Sequence, residues 1–176
     1  MNFRFEASER IELEVKEATK TITCHAVELY VYDVAVAVPS GEEEKKKTLP
    51  CTQMQFVADD ESVTFHFAEV LPVGATVTLS LRFHGFLNDK LRGFYRTQYE
   101  LENETRTLAV TQFEACDARR AFVCWDEPAI KARFEISMVT DANLTALSNM
   151  HVVQTQVRPK KNAHLRKLTR KDSPTE

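Results

Sequence analysis

The feature that most constrains this chain is a period of two in its apolar residues. Ile11, Leu13 and Val15 alternate with Glu12, Glu14 and Lys16, and Val63, Phe65 and Phe67 alternate with Thr64 and His66. Val77, Leu79, Leu81 and Phe83 alternate in the same way with Thr78, Ser80 and Arg82. Successive side chains of an extended backbone point to opposite faces, so each run reads as an antiparallel strand with one face buried and one in water. No segment carries a sustained helical stripe, apart from a short turn expected across Ala115–Ala121.

Further strand-like runs are Cys51–Val57, Gly93–Leu101, Leu108–Phe113, Arg133–Val139 and Leu144–Leu147. Ile22–Val38 reads as two strands or one bent strand, because its alternation changes phase near His25. That makes about nine or ten strands. Pro39-Ser-Gly41 with its following Glu and Lys residues is a solvated loop, and Pro72-Val-Gly74 is a turn. Short strands joined by turns predict an all-β chain, an antiparallel β-sandwich or a curved, saddle-like sheet.

At 176 residues, 43% apolar and 28% charged, the chain is long enough for one respectable core and crowded for two. The expected domain runs over residues 1–153. From Gln154 aromatics and alternation fade and charge rises, so residues 154–176 read as a basic flexible tail or a truncated surface loop. Residues 158–171 hold seven Lys/Arg and no acid, which leaves residues 1–157 with sixteen basic and twenty-four acidic side chains. A body near -8 repels phosphate backbones, so nucleic acid is not the expected partner, and the tail's basic run reads as solvated. Charges interrupt the N-terminus, so neither a secretory core nor a membrane span is expected. Cys24, Cys51, Cys116 and Cys124 form no C-x-x-C pair, which fits a reduced, cytoplasmic setting.

One block stands apart from this pattern: Thr111-Gln-Phe-Glu-Ala-Cys-Asp-Ala-Arg-Arg-Ala-Phe-Val-Cys-Trp-Asp-Glu-Pro128. So many Arg, Asp and Glu beside a Trp are neither ordinary core nor ordinary linker, and point to a substrate pocket. Gln112 and Glu114 stand two apart, so on extended backbone they would share a face while Phe113 turns into the core. Asp117, Arg119, Arg120, Asp126 and Glu127 read instead as a charge network that fixes the turn, since Arg forks pair carboxylates. Trp125 and Phe122 are expected to cover that turn. Cys124 reads as packing, because no His partner is identifiable.

Together with Gly93-Phe-Tyr-Arg-Thr-Gln-Tyr99 and Leu147-Ser-Asn-Met150, the segment Ala109–Phe134 resembles the N-terminal domain of zinc aminopeptidases of the puromycin-sensitive and aminopeptidase N type. The likeness covers roughly residues 3–150. It implies a β-rich domain lying against a thermolysin-like catalytic domain and closing one wall of its cleft. The implied reaction is removal of one N-terminal residue from peptides, with zinc as the cofactor of the full-length enzyme and none in this chain. His25, His66, His84, His151 and His164 never stand in His-Glu-x-x-His spacing, so the chain alone is expected to be inactive. The resemblance also implies roles for two residues: Gln112 lining the pocket for the substrate's first side chain, and Glu114 helping to hold its free α-amino group. The expected partners are peptide N-termini and the catalytic domain absent from this chain.

Two residues depart from the family pattern, Cys116 in place of Thr and Val123 in place of Pro; neither is a substrate position. The chain also begins after the family's first strand, which predicts an open edge and a tendency to associate. A rival reading is a non-catalytic β-sandwich that binds peptides as an adaptor, and another is polyanion binding through the tail.

Overall fold

The alternating runs are strands in the computed structural model, which describes residues 3–40, 46–158 and 163–169. In chain order they are β1 (Arg4–Glu14), β2 (Thr19–His25), β3 (Leu29–Pro39), β4 (Lys46–Val57), β5 (Ser62–Leu71) and β6 (Thr76–Phe86). β7 (Gly93–Leu101), β8 (Glu104–Gln112), β9 (Glu135–Asp141), β10 (Val152–Arg158) and β11 (Ala163–Thr169) follow, with a 3₁₀ turn at Ala118–Arg120. Every ladder between them is antiparallel, and the chain is all-β as its periodicity predicts.

The phase change near His25 is a true break: β2 ends there and β3 starts at Leu29, with Glu28 in the left-handed region at φ 58°. Leu144–Leu147, expected as a strand, is irregular instead. Its first amide closes a turn onto the Asp141 carbonyl at 3.0 Å, and both leucines face solvent. A four-residue apolar run has too little ladder to hold extended backbone unless a neighbouring strand claims it. The stretch beyond Gln154 holds most of β10 and all of β11. β11 pairs with β10 on one side and with β9 on the other, so ladder hydrogen bonds organise a segment whose sequence lacks aromatics and clear alternation.

The chain forms two compact units, Met1–Glu127 and Pro128–Glu176. In the first unit six strands run in the order β1-β6-β3-β4-β5-β2, and β7 and β8 make a separate hairpin. That hairpin closes through Glu102 and Asn103, both at positive φ, the two-residue geometry whose twist matches its strands.

β4 joins the two halves of the six-stranded sheet. Lys46–Pro50 pairs with β3, and from Cys51 onward the strand pairs with β5. The handover falls at Pro50, which has no amide proton to continue a ladder. The inward residues of both halves form one core: Val31, Val36, Val77, Leu79, Leu81 and Phe83 from one, and Ile22, Cys24, Val63, Phe65, Phe67 and Leu71 from the other. Phe83 also meets the ring of Phe5 edge-on at 6.4 Å, and Phe5 meets Phe94 of β7 at 5.0 Å, tying β1 to the hairpin.

One inward position of β1 is not apolar. Phe5, Ala7, Glu9, Ile11 and Leu13 share the half-buried face of the strand, and Glu9 stands in that row. Its Oε1 is buried without a hydrogen-bond partner, and burial pushes its carboxyl up to about 8.

Candidate functional site

Gln112 is the last residue of β8 and lies opposite Gly93, the first residue of β7. Phe113 then leaves the strand, Glu114–Asp117 form a turn containing a cis Glu114–Ala115 peptide, and the 3₁₀ turn begins. Gln112 and Glu114 are both exposed, and half-buried Phe113 between them packs edge-on against Phe122 at 5.7 Å. The strand ends between the two residues, so their two-residue spacing does not run along one ladder. What separates them from Phe113 is the burial of its ring beside Phe122, which itself packs against the core.

The turn is held by its own backbone and by charge. The Asp117 amide donates to the Phe113 carbonyl at 2.8 Å, and the Ala121 amide donates to Ala118 at 2.8 Å. Arg119 donates from Nε to Asp126 Oδ2 at 3.1 Å and from Nη1 to Glu61 Oε2 at 3.0 Å. Arg120 donates from Nε to Asp117 Oδ1 at 2.9 Å, and its other nitrogens reach Glu61 at 3.4 Å and Glu28 at 3.3 Å. The side chains of Arg119 and Arg120 are only 11% and 10% exposed, and their pairs with Asp126 and Asp117 are largely covered, whereas Glu61 and Glu28 remain in reach of water. Burial works against the Arg119 charge; the hydrogen bond and charge of Asp126, with Glu61, more than offset it and raise its pKa.

Of the residues expected in this network, Asp117, Arg119, Arg120 and Asp126 come together. Glu127 does not join them: its side chain is exposed, and its amide turns back to the Trp125 carbonyl at 2.9 Å. Trp125 is partly buried against the core. Three contributors have no local signal in the sequence. Glu28 and Glu61 sit in turns that precede and follow other strands, both with left-handed backbone, at φ 58° and 51°. His25 accepts the Asp126 amide through Nδ1 at 3.1 Å while its own backbone pairs with Cys124. The turn is thus fastened to the β2–β3 and β4–β5 connections, whose backbones also take part: Ala26 donates to the Glu61 carbonyl and Val27 to the Arg119 carbonyl, each at 2.9 Å.

Gly93 lets the hairpin approach this turn. Its φ is +69°, and a Cβ there would stand 2.6 Å from the Arg120 Cβ. Gly93→Ala therefore combines backbone strain with a clash against an atom that cannot swing aside. We expect it to cost about 2–3 kcal/mol of stability, read as a lowered urea midpoint, and an unchanged midpoint would refute the packing described.

Cys124 is raised to about 12 by burial and by the charges of Asp126 and Glu9, only partly countered by Arg119. Cys24 is raised further by burial, then by Glu9 and Cys124. Both stay protonated thiols at neutral pH, without nucleophilic character. Among the described residues no group of three His, Cys, Asp or Glu is placed to hold a metal, and no helix is long and apolar enough to cross a membrane. The site offers an exposed carboxylate and an exposed amide on a rigid turn, which can receive hydrogen-bond donors and a cationic group.

The comparisons with known proteins agree with the resemblance. The family described as the Peptidase M1 N-terminal domain matches residues 1–171. Aminopeptidase M1 of Arabidopsis thaliana is 39% identical over 170 residues, 97% of this chain and 18% of that protein. Aminopeptidase M1-A of Oryza sativa subsp. japonica is 44% identical over 154 residues, 87% of this chain and 17% of its own length. The puromycin-sensitive aminopeptidase of Caenorhabditis elegans is 38% identical over 154 residues, 86% of this chain and 15% of its own length. The chain thus spans less than a fifth of these relatives, and by the extent of its own match it belongs to the peptidase M1 N-terminal domain family.

Proposed function

We propose that this chain is the substrate-recognition domain of a zinc aminopeptidase, with Glu114 holding the protonated α-amine of a peptide and Gln112 lining the pocket for its first side chain. The observation that carries this reading is the pair of exposed polar side chains at and just after the end of β8, beside the largely covered side chains of Arg119 and Arg120. An exopeptidase must tell a charged amino terminus from an interior amide. A carboxylate in a semi-enclosed cleft does so by charge-assisted hydrogen bonding, and an α-amine with a reference pKa of about 7.7–8.0 is largely protonated beside it. The described residues do not fit a zinc ion, so no step is assigned to one; metal and general base would come from the catalytic part of a longer polypeptide. The four cysteines are free thiols, which suits a reducing compartment such as the cytoplasm.

In the longer enzyme, Glu114→Ala should weaken binding of free amino termini by about 2–5 kcal/mol, seen as a raised KM for aminoacyl substrates. Unchanged kinetics would remove Glu114 from the role. The purified chain with added zinc should not hydrolyse an aminoacyl chromogenic substrate, and turnover would overturn the division of labour. An adaptor, by contrast, would bind a free-amine peptide tightly on its own and discriminate against the N-acetylated form.

A further inference from the structure

β4 has an unusual free edge. Beyond Pro50 it pairs only with β5, and among the described residues nothing pairs with its other side. β3 bends away there, with a bulge between Tyr32 and Ala35 and Asp33 at φ 53°, opening a cleft between Asp33–Val34 and Cys51–Met54. Met54 lies opposite Phe65 and Phe56 opposite Val63. Opposed residues of an antiparallel pair share a face, and Phe65 and Val63 are fully buried, so Met54 and Phe56 belong to the core face. They are nevertheless 39% and 53% exposed, because the core stops short of the edge.

The devices that ordinarily keep an edge unpaired are missing from this one. Cys51-Thr-Gln-Met-Gln-Phe-Val57 contains no charge, no proline and no glycine. The other edges of the sheet differ. β1 turns Arg4, Glu6, Arg10, Glu12 and Glu14 to solvent, and β2 is capped at His25 by its bridge to Cys124.

We propose that β4 is a self-pairing edge, through which residues Gln53–Val57 add antiparallel to the same segment of a second copy of this chain. Charge selects this occupant. Residues 1–157 are strongly acidic, so two copies repel across most of their surface, and the neutral segment is where they meet without opposing like charges. The segment is also complementary to itself. With the two-fold axis at Gln55, Met54 of each copy lies opposite Phe56 of the other on the uncovered core face, a thioether-on-ring contact made twice. The two Gln55 amides face one another and can exchange hydrogen bonds.

Sedimentation of the full chain from micromolar to millimolar concentration should show a monomer–dimer equilibrium, with hydrogen-exchange protection rising with concentration at residues 53–57. Gln55→Lys and Gln55→Glu should each weaken the dimer by about tenfold or more, because like charges then stand face to face. An equimolar mixture of the two variants should restore pairing as a heterodimer, an outcome that misfolding of either variant could not produce. A monomer at every concentration, added protection at β1 in place of β4, or a mixture no tighter than its separate variants would each overturn the proposal.

Discussion

Replacing Glu9 with Gln is expected to stabilise the first unit at neutral and alkaline pH and to flatten its pH dependence. The cause is the register of β1, which turns this carboxyl inward beside Ala7 and Ile11 and leaves one oxygen buried and unpartnered. Burial raises the carboxyl to about 8 from an ordinary 4.5, so the folded chain holds its proton more tightly than the unfolded chain does. The group's favourable contribution is therefore complete below about pH 4.5, declines as pH rises towards 8, and is lost above that. At about 1.36 kcal/mol per pH unit the shift caps the loss at about 4–5 kcal/mol, and partial exposure reduces the expected gain for Gln to about 2–3 kcal/mol. In a chain of this size that corresponds to a thermal midpoint higher by roughly 5–10 °C at pH 8.5, converging with wild type near pH 4.5. Two parallel midpoint–pH curves would show that Glu9 is not the titrating group. The Glu9 charge also acts on Cys24 and Cys124, and both remain neutral over this range.

Removing Arg119 should have an effect at least as large. Its guanidinium serves Asp126, whose side chain is only 12% exposed, and Glu61, while its carbonyl receives the Val27 amide. Arg119→Ala leaves the Asp126 carboxylate buried opposite an empty site, and breaking such a pair costs about 3–5 kcal/mol. Lys in its place restores a charge but not the fork that reaches Glu61 and Asp126 together, so it should recover only part of that loss. The measurement is a double-mutant cycle with Asp126→Asn by urea unfolding. A coupling of about 1–3 kcal/mol is expected, and one near zero would reduce the pair to coincidental proximity. Hydrogen exchange at Asp117 and Ala121 should accelerate in the same variant, because the turn bearing Glu114 loses its fastening to the β2–β3 and β4–β5 connections.

Local pattern carried much of this in advance. The alternation at Ile11–Val15, Val63–Phe67 and Val77–Phe83 placed strands within β1, β5 and β6, because a period of two belongs to the backbone and needs no knowledge of neighbours. Continued backward from Ile11, the same period reaches Glu9, so an acidic residue on a core face was also legible, though easily passed over in a strand rich in charge. Leu144–Leu147 misled for the opposite reason: a short apolar run is extended only when another strand claims it. β10 and β11 lacked aromatic or alternating signal and arise from pairing with each other and with β9.

The block Thr111–Pro128 divides along the same line. The sequence alone determined its composition, its family and the closeness of Asp117, Arg119, Arg120 and Asp126, since these lie within one or two turns of chain. Only the tertiary structure decided that Glu61, 58 residues from Arg119, and His25, 101 residues from Asp126, complete the network, and that Glu127 does not. Likewise, only the change of partner at Pro50 decided that, among the described residues, half of β4 keeps an unpaired edge. The physical reason is common to all three: side-chain periodicity is a property of consecutive backbone, whereas ion pairs and strand edges depend on which distant segments the folded core brings into contact.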